Sequence, residues 1–265
     1  MKEISISESQ QVAFGVLLKI KKTFEKFGWK FYLTYGTLLG AIRHNGFIPW
    51  DDDIDVWVPR KDYEAFLEYY KNNPSDFIGY TLFHYTTCKD YIYPIARLSD
   101  NKYLTVFSNQ KEYGLGVFVD IYPIDGIPLK NSQFIANLSH QKKIIQIGTF
   151  NRCPSGGCFF KTLLKYPLFF YAQHSSQNKR LEKIDKTAQR FDFESSPLFT
   201  CSCWEFDNLF DKEWISSPMF HKFNGVEFLV PNNYNAVLTK MFGDYMTPPP
   251  VNERIGHHFY KTYLK

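Results

Sequence analysis

Residues 49–56 read PWDDDIDV, with four aspartates, Asp51, Asp52, Asp53 and Asp55, inside five positions just ahead of an alternating aliphatic run. Like charges this close repel, so a folded chain keeps them only where geometry or a cation offsets the cost. Side chains alternate across a strand. Over 53–58 this puts Ile54, Val56 and Val58 on one face and Asp53, Asp55 and Trp57 on the other. The aliphatic face can pack on helices while two carboxylates project together from the opposite face. A divalent metal between them removes the repulsion, and hard oxygen ligands suit Mg²⁺ or Mn²⁺.

A third carboxylate comes from GVFVDIYPIDGIP, where Val117, Val119 and Ile121 share one face and Phe118 and Asp120 the other. If strands 53–58 and 116–122 are neighbours, Asp120 completes a triad with Asp53 and Asp55. Asp125, just past Pro123, is expected in a turn with a structural role. A solvated loop is the ordinary fate of an Asp-rich run, but the I-D-V-W-V and V-D-I patterns argue for strands. A calcium loop fits worse: Asp51, Asp53 and Asp55 match ligand positions 1, 3 and 5, yet Val56 stands where the turn needs Gly and Asp62 where it needs Glu. Asp53-x-Asp55 also fits the metal-binding pair of a glycosyltransferase, so the residues upstream must decide.

Upstream, LTYGTLLGAIRH puts Gly36 and Thr37 at a strand-to-helix turn. A helix N-terminus approached through glycine is an anion site, and the Thr hydroxyl adds a donor. Phosphate cradle, metal pair and third carboxylate together suit attack on a phosphorus centre.

The wider pattern is mixed α/β. Ser7 with Gln10 reads as a capping box for a helix ending at Gly28, and short strands are expected at 30–36 and 53–58 around a helix at 37–44. A helix at 60–73 and strands at 80–85, 91–98, 103–107 and 116–122 follow, then a mostly helical stretch, a strand at 226–230 and a helix at 234–242. The expected organisation is a catalytic core over 1–125, a mainly helical insertion over 126–215 and a segment over 216–265 that completes the core. The polar N-terminus lacks the apolar region of a secretory signal, no apolar run approaches membrane-spanning length, and the five cysteines are odd in number. The expected location is cytoplasmic. A net charge of +4 without basic runs argues against a nucleic-acid partner.

YGTLLGAIRHNGFIPWDDDIDVWVPRKDYEAF resembles the signature of the LicD family of phosphotransferases, which includes fukutin and fukutin-related protein. FVDIYPIDGIP is similar to the family's second block, and LTKMFGDYMTPPPVNERIGHH to the C-terminal block of its bacterial members. The resemblance implies a nucleotidyltransferase-like fold of the DNA polymerase β type. It implies transfer of a phospho-alcohol, phosphocholine in first place, from a CDP-activated donor such as CDP-choline to a hydroxyl of a glycan or lipid-linked oligosaccharide. Carried onto this chain, Gly36 and Thr37 would contact donor phosphates, Asp53 and Asp55 would bind metal, and Asp120 would be a metal ligand or the general base. A binding or scaffold relative without activity is the non-enzymatic alternative.

Around this centre, Asp51 and Asp52 are expected to cap or orient the turn. Arg43, at the end of the short helix, is a candidate for holding donor phosphate, with a surface cation at the helix end as the alternative. Arg97, on a strand, is another, with a sheet-surface ion pair as the alternative. Arg254 and His257 are candidates from the C-terminal block, while His44 is expected to pack. Cys153, Cys158, Cys201 and Cys203 could form a zinc site, but their spacings favour free thiols. FFKTLLKYPLFFYAQ, 159–173, reads as a core-packing helix broken at Pro167, with the membrane surface of the cytoplasmic face as the alternative.

Overall fold

The computed structural model describes residues 1–265 except 90, 131, 205–207 and 255–259. Strand β1 (Lys2–Glu3) leads into helix α1 (Ile6–Phe27). The cap of α1 is Ser5, whose hydroxyl accepts from the Glu8 amide at 3.2 Å, rather than Ser7. Gly28 closes the helix at φ 70°, a left-handed conformation that costs glycine little. Ala13, Val16, Leu17, Ile20 and Phe24 recur on the buried face, and each large one contributes roughly 1.5–3 kcal/mol.

The aspartate-rich block and the residues around it form β2 (Tyr32–Leu33), α2 (Tyr35–His44), β3 (Asp55–Pro59) and α3 (Arg60–Asn72). Strands β4 (Tyr80–Phe83), β5 (Ala96–Asp100), β6 (Tyr103–Phe107) and β7 (Val117–Ile127) follow. The central sheet has the order β2-β3-β7-β5-β4, with β3 and β7 parallel and the other pairs antiparallel. Helix α1 packs on β7 and β5. The fold is a mixed α/β sheet with flanking helices, as the sequence pattern predicts.

Helices α4 (Ser132–Gly148), α5 (Phe159–His174) and α6 (Gln177–Ala188) come next. Phe134, Leu138, Ile145, Leu181 and Ile184 join Ile127 in a second, smaller core. Strands β8 (Leu198–Thr200) and β9 (Phe210–Asp211) then return to the main sheet, β8 pairing with the far end of β7. The long helices therefore end at Ala188, and the later part of the 126–215 stretch contributes the short strands β8 and β9 to the sheet. The chain finishes with α7 (Glu213–Ser216), the hairpin β10 (Met219–Phe223) and β11 (Val226–Val230), α8 (Tyr234–Phe242) and β12 (Tyr260–Leu264). Strand β12 lies between β1 and β6, bringing the two chain ends together.

Two expectations are corrected. Asp125 is not in a turn: β7 runs through Pro123, and Asp125 pairs in register with Thr200 of β8. The new partner strand takes over the pairing where the proline removes an amide donor. Segment 159–173 is neither broken nor packed in the core. Helix α5 continues through Pro167, and Ala172 is its one buried residue. Among the described residues, no helix is long and apolar enough to cross a membrane.

Candidate functional site

Parallel pairing of β3 with β7 sets Asp55 opposite Asp120, and antiparallel pairing of β5 with β7 sets Arg97 opposite Asp120. Three adjacent strands thus carry Asp55, Asp120 and Arg97 on one rung, and all three side chains are buried. Arg97 donates from Nε to Asp120 Oδ1 at 2.5 Å and from Nη2 to Oδ2 at 3.4 Å. Its guanidinium lies over the rings of Tyr93 and Phe118, 4.4 and 4.6 Å from their centroids. Arg97 therefore holds the third carboxylate.

Next to this rung opens a cleft of about 520 Å³. Asp51, Asp53 and Asp55 line it together, with Gly36 and Tyr35 at the start of α2 and Arg43 at its end. Asp53 precedes β3, so the strand begins two residues later than the alternation predicts. The four aspartates divide differently from their expected pairing: Asp51 joins the cleft, while Asp52 turns toward β12 and accepts from the Tyr260 hydroxyl at 3.4 Å. Gln10 on α1 fixes the loop by donating to Asp51 O at 2.7 Å and Ile48 O at 3.3 Å.

The strand-to-helix turn is tighter than the sequence suggests. Helix α2 starts at Tyr35, which takes a positive φ of 46°, so Gly36 and Thr37 lie in its first turn. The first helical bond runs from Leu38 N to Thr34 O, leaving the amides before it outside the ladder. A Cβ on Gly36 would stand 2.7 Å from Asp51 Oδ2. The glycine thus lets the Asp51 carboxylate reach the positive end of the helix. Thr37 faces elsewhere: it is buried, and its hydroxyl accepts from the Asp55 amide at 2.8 Å. It positions Asp55.

Crowding marks Asp55 electrostatically. Burial pushes its carboxyl well above the usual range, and Asp53, Asp120 and Asp51 push it further, against a hydrogen bond with Tyr122. A cation would relieve this. Among the described residues no group of three His, Cys, Asp or Glu is arranged to hold a metal by itself. The donor set still fits Mg²⁺ or Mn²⁺, because such ions are commonly held by one or two carboxylates plus substrate phosphates and water. Asp53 and Asp55 would supply the carboxylates, since Arg97 already hydrogen-bonds both oxygens of Asp120.

Two arginines lie at or near the cleft, Arg43 in its lining and Arg254 beside Trp50. Arg43 donates from Nη1 to Tyr245 O at 2.7 Å and from Nε to His44 Nε2 at 3.0 Å. Arg254 donates to Pro249 O at 2.9 Å and lies 5.4 Å from the Trp50 ring centroid. Burial, then repulsion from Arg254, lowers the Arg43 pKa; burial, then Arg43, lowers that of His44. Two guanidiniums that repel across a cleft edge suit an anion between them. His257 lies outside the described residues.

Sequence reasoning missed part of the wall. Trp50, Phe242, Asp244, Tyr245, Thr247 and Pro249 line the cleft. The signal was present in the FGDYMTPPP block, but α8 and the turn after it reach the site only through packing of α8 on α2. The cysteines lie apart from the cleft. Cys201 and Cys203 are buried with their sulfurs 3.8 Å apart, whereas Cys153 is half-buried and Cys158 exposed.

Comparison with known proteins places these features in a lineage. The family described as LicD/FKTN/FKRP, nucleotidyltransferase domain, matches residues 28–147, which span α2, β3, the Asp55–Asp120–Arg97 rung and α4. The lipopolysaccharide cholinephosphotransferase LicD of Haemophilus influenzae is 28% identical over the full length of both chains. An uncharacterized protein of Rickettsia typhi is 30% identical over 70% of this chain and 57% of its own length.

Proposed function

We propose, for a chain that belongs to the LicD family, that it is a transferase moving phosphocholine from CDP-choline to a glycan hydroxyl in lipopolysaccharide biosynthesis. The observation that carries this reading is the polarity of the cleft. Asp51, Asp53 and Asp55 line it together with Arg43, Asp244 is a fourth acid in its wall, and Arg254 lies beside the lining Trp50 ring. An anionic diphosphate would sit between the acidic group, with a cation held there, and the guanidiniums of Arg43 and Arg254. A sugar acceptor would enter along the same opening, beside the aromatic wall of Trp50 and Tyr245. Aromatic faces there also suit the quaternary ammonium of choline.

Asp53 and Asp55 would hold Mg²⁺ or Mn²⁺. When bound, the ion supplies charge neutralisation of the diphosphate oxygens and of the departing cytidine monophosphate. Thr37 holds the Asp55 backbone in place by accepting its amide hydrogen. Arg43 and Arg254 would bind the outer phosphate oxygens by charge-assisted hydrogen bonds. An acceptor hydroxyl is a poor nucleophile and profits from a carboxylate within hydrogen-bond reach. Asp120 is the candidate base, with Arg97 orienting its carboxylate.

The test is calorimetric titration of the chain with CDP-choline, CDP-ribitol and CDP-glycerol in the presence of Mg²⁺, followed by a transfer assay on a glycan acceptor. Binding and turnover of CDP-choline, lost in Asp53→Asn, are expected. Transfer from a sugar nucleotide, with no CDP-alcohol bound, would establish the glycosyltransferase reading instead.

A further inference from the structure

Helix α5 is unlike every other long helix of the molecule. Phe159, Phe160, Leu163, Leu164, Phe170 and Tyr171 are all exposed, Phe160 at 74% and Leu164 at 80%, and the helix rests on the rest of the protein mainly through α4. Scattered apolar side chains on a surface need no explanation, but a contiguous set on one helix marks a contact surface. Its polar residues are also selected. The helix has Lys161 and Lys165 and no acidic residue.

Charge identifies the occupant. Residues 129–190 carry eleven Lys and Arg against two acidic side chains, Glu182 and Asp185, whereas the remainder of the chain is net negative by five. The acidic cleft and the basic helical unit therefore divide the molecule's charge. At the C-terminal end of α5 a polar pocket of about 240 Å³ adds Lys89, Lys111, Gln173 and Asn178. Aromatic and leucine side chains among lysines match the boundary between headgroups and acyl chains of an anionic bilayer. A second copy of the chain would bring two strongly basic units together and meet repulsion. We propose that α5 and the basic unit around it dock the protein on an anionic membrane surface. Residues Phe160 and Leu164 would enter the acyl boundary while Lys161 and Lys165 meet lipid phosphates. At 16 residues the helix is too short to span the bilayer and lies in its surface. The proposal does not depend on which group the enzyme transfers.

Co-sedimentation of the full chain with vesicles tests it, without reading activity. The wild type should pellet with phosphatidylglycerol–phosphatidylcholine vesicles and release at high salt, and pellet weakly with phosphatidylcholine alone. Phe160→Ser combined with Leu164→Ser should weaken the partition about tenfold or more, from lost apolar burial. Lys161→Ala with Lys165→Ala should reduce the preference for anionic vesicles several-fold, about what two lysines near such a surface contribute. Unchanged thermal midpoints would show that both variants fold. Failure of the wild type to pellet with anionic vesicles overturns the proposal. So does a dimer in solution that Phe160→Ser and Leu164→Ser convert to monomer.

Discussion

Two aspartates five residues apart on β7, Asp120 and Asp125, each meet an arginine, yet their surroundings differ in kind. Asp125 accepts from Arg60 through both oxygens, at 2.7 and 2.9 Å. The same guanidinium reaches Asp185 on α6 at 2.8 Å and Glu64 at 3.1 Å, and Asp185 also accepts from Tyr85 and Gln189. This cluster is closed: Arg60 on α3, Tyr85 and Gln189 supply donors for the buried oxygens of Asp125 on β7 and Asp185 on α6, and it fastens the helical unit to the sheet. Around Asp120, Arg97 answers one carboxylate, while Asp53 and Asp55 face an open cleft and raise the Asp55 pKa. Acid surrounded by the chain's own donors is structural. Acid in surplus beside a cleft is where a cation and an anionic ligand belong.

The sharpest way to break this contrast is to neutralise one member on each side. Asp55→Asn should lower phosphotransfer by about three orders of magnitude, roughly 4 kcal/mol of transition-state stabilisation. It should leave the thermal midpoint unchanged or raised, because a crowded buried charge is removed. Turnover and calorimetry on one preparation would check both halves; equal loss of stability and activity would place Asp55 with the structural group. Arg60→Met should do the reverse. Stranding Asp125 and Asp185 without their cation should cost about 3 kcal/mol in urea unfolding, with turnover per folded molecule kept.

Smaller effects sharpen the boundary. Gly36→Ala should cut turnover about ten- to a hundredfold, because its new Cβ displaces Asp51 at the start of α2. Helix propensity makes alanine no worse for stability there. A destabilised variant with normal turnover would remove Asp51 from the site. The smallest effect concerns His84, which packs against Tyr63 and Tyr85 beside the closed cluster. Burial holds its imidazole down at about 3, against about 6.5 in an unfolded chain. The folded state keeps it neutral while the unfolded state takes up a proton below about 6.5, so this group's stability contribution falls as pH drops from there toward 3. Between pH 7.5 and 5.5 the loss should be about 1 kcal/mol. Urea unfolding of the wild type and His84→Gln at both pH values should show the wild type losing more.

Much of this was legible locally. Strands 103–107 and 226–230 and the helix at 234–242 lie where their patterns place them, because each alternation or helical period is resolved within a few residues. Boundaries set by long-range partners were not. Strand β7 extends past Pro123 because β8, more than seventy residues later, pairs with its end. The terminal strand β12 lies beyond the last element that the sequence pattern marks, since β1 and β6 supply its hydrogen bonds. Helix α5 reads as core because its composition is apolar, and nothing in composition says whether another element will cover it.

For the site, the sequence by itself determined the chemistry on offer. Alternation predicts that Asp55 and Asp120 face the same way on neighbouring strands, and glycine ahead of a helix marks the approach to them. Those are consequences of bond geometry and charge within short stretches. Only the tertiary structure decided that Arg97 takes up Asp120, that Thr37 serves the Asp55 amide, and that Asp51 and Asp52 part company. Each of those outcomes depends on strand order, register and the packing of elements distant in sequence, which no local rule contains.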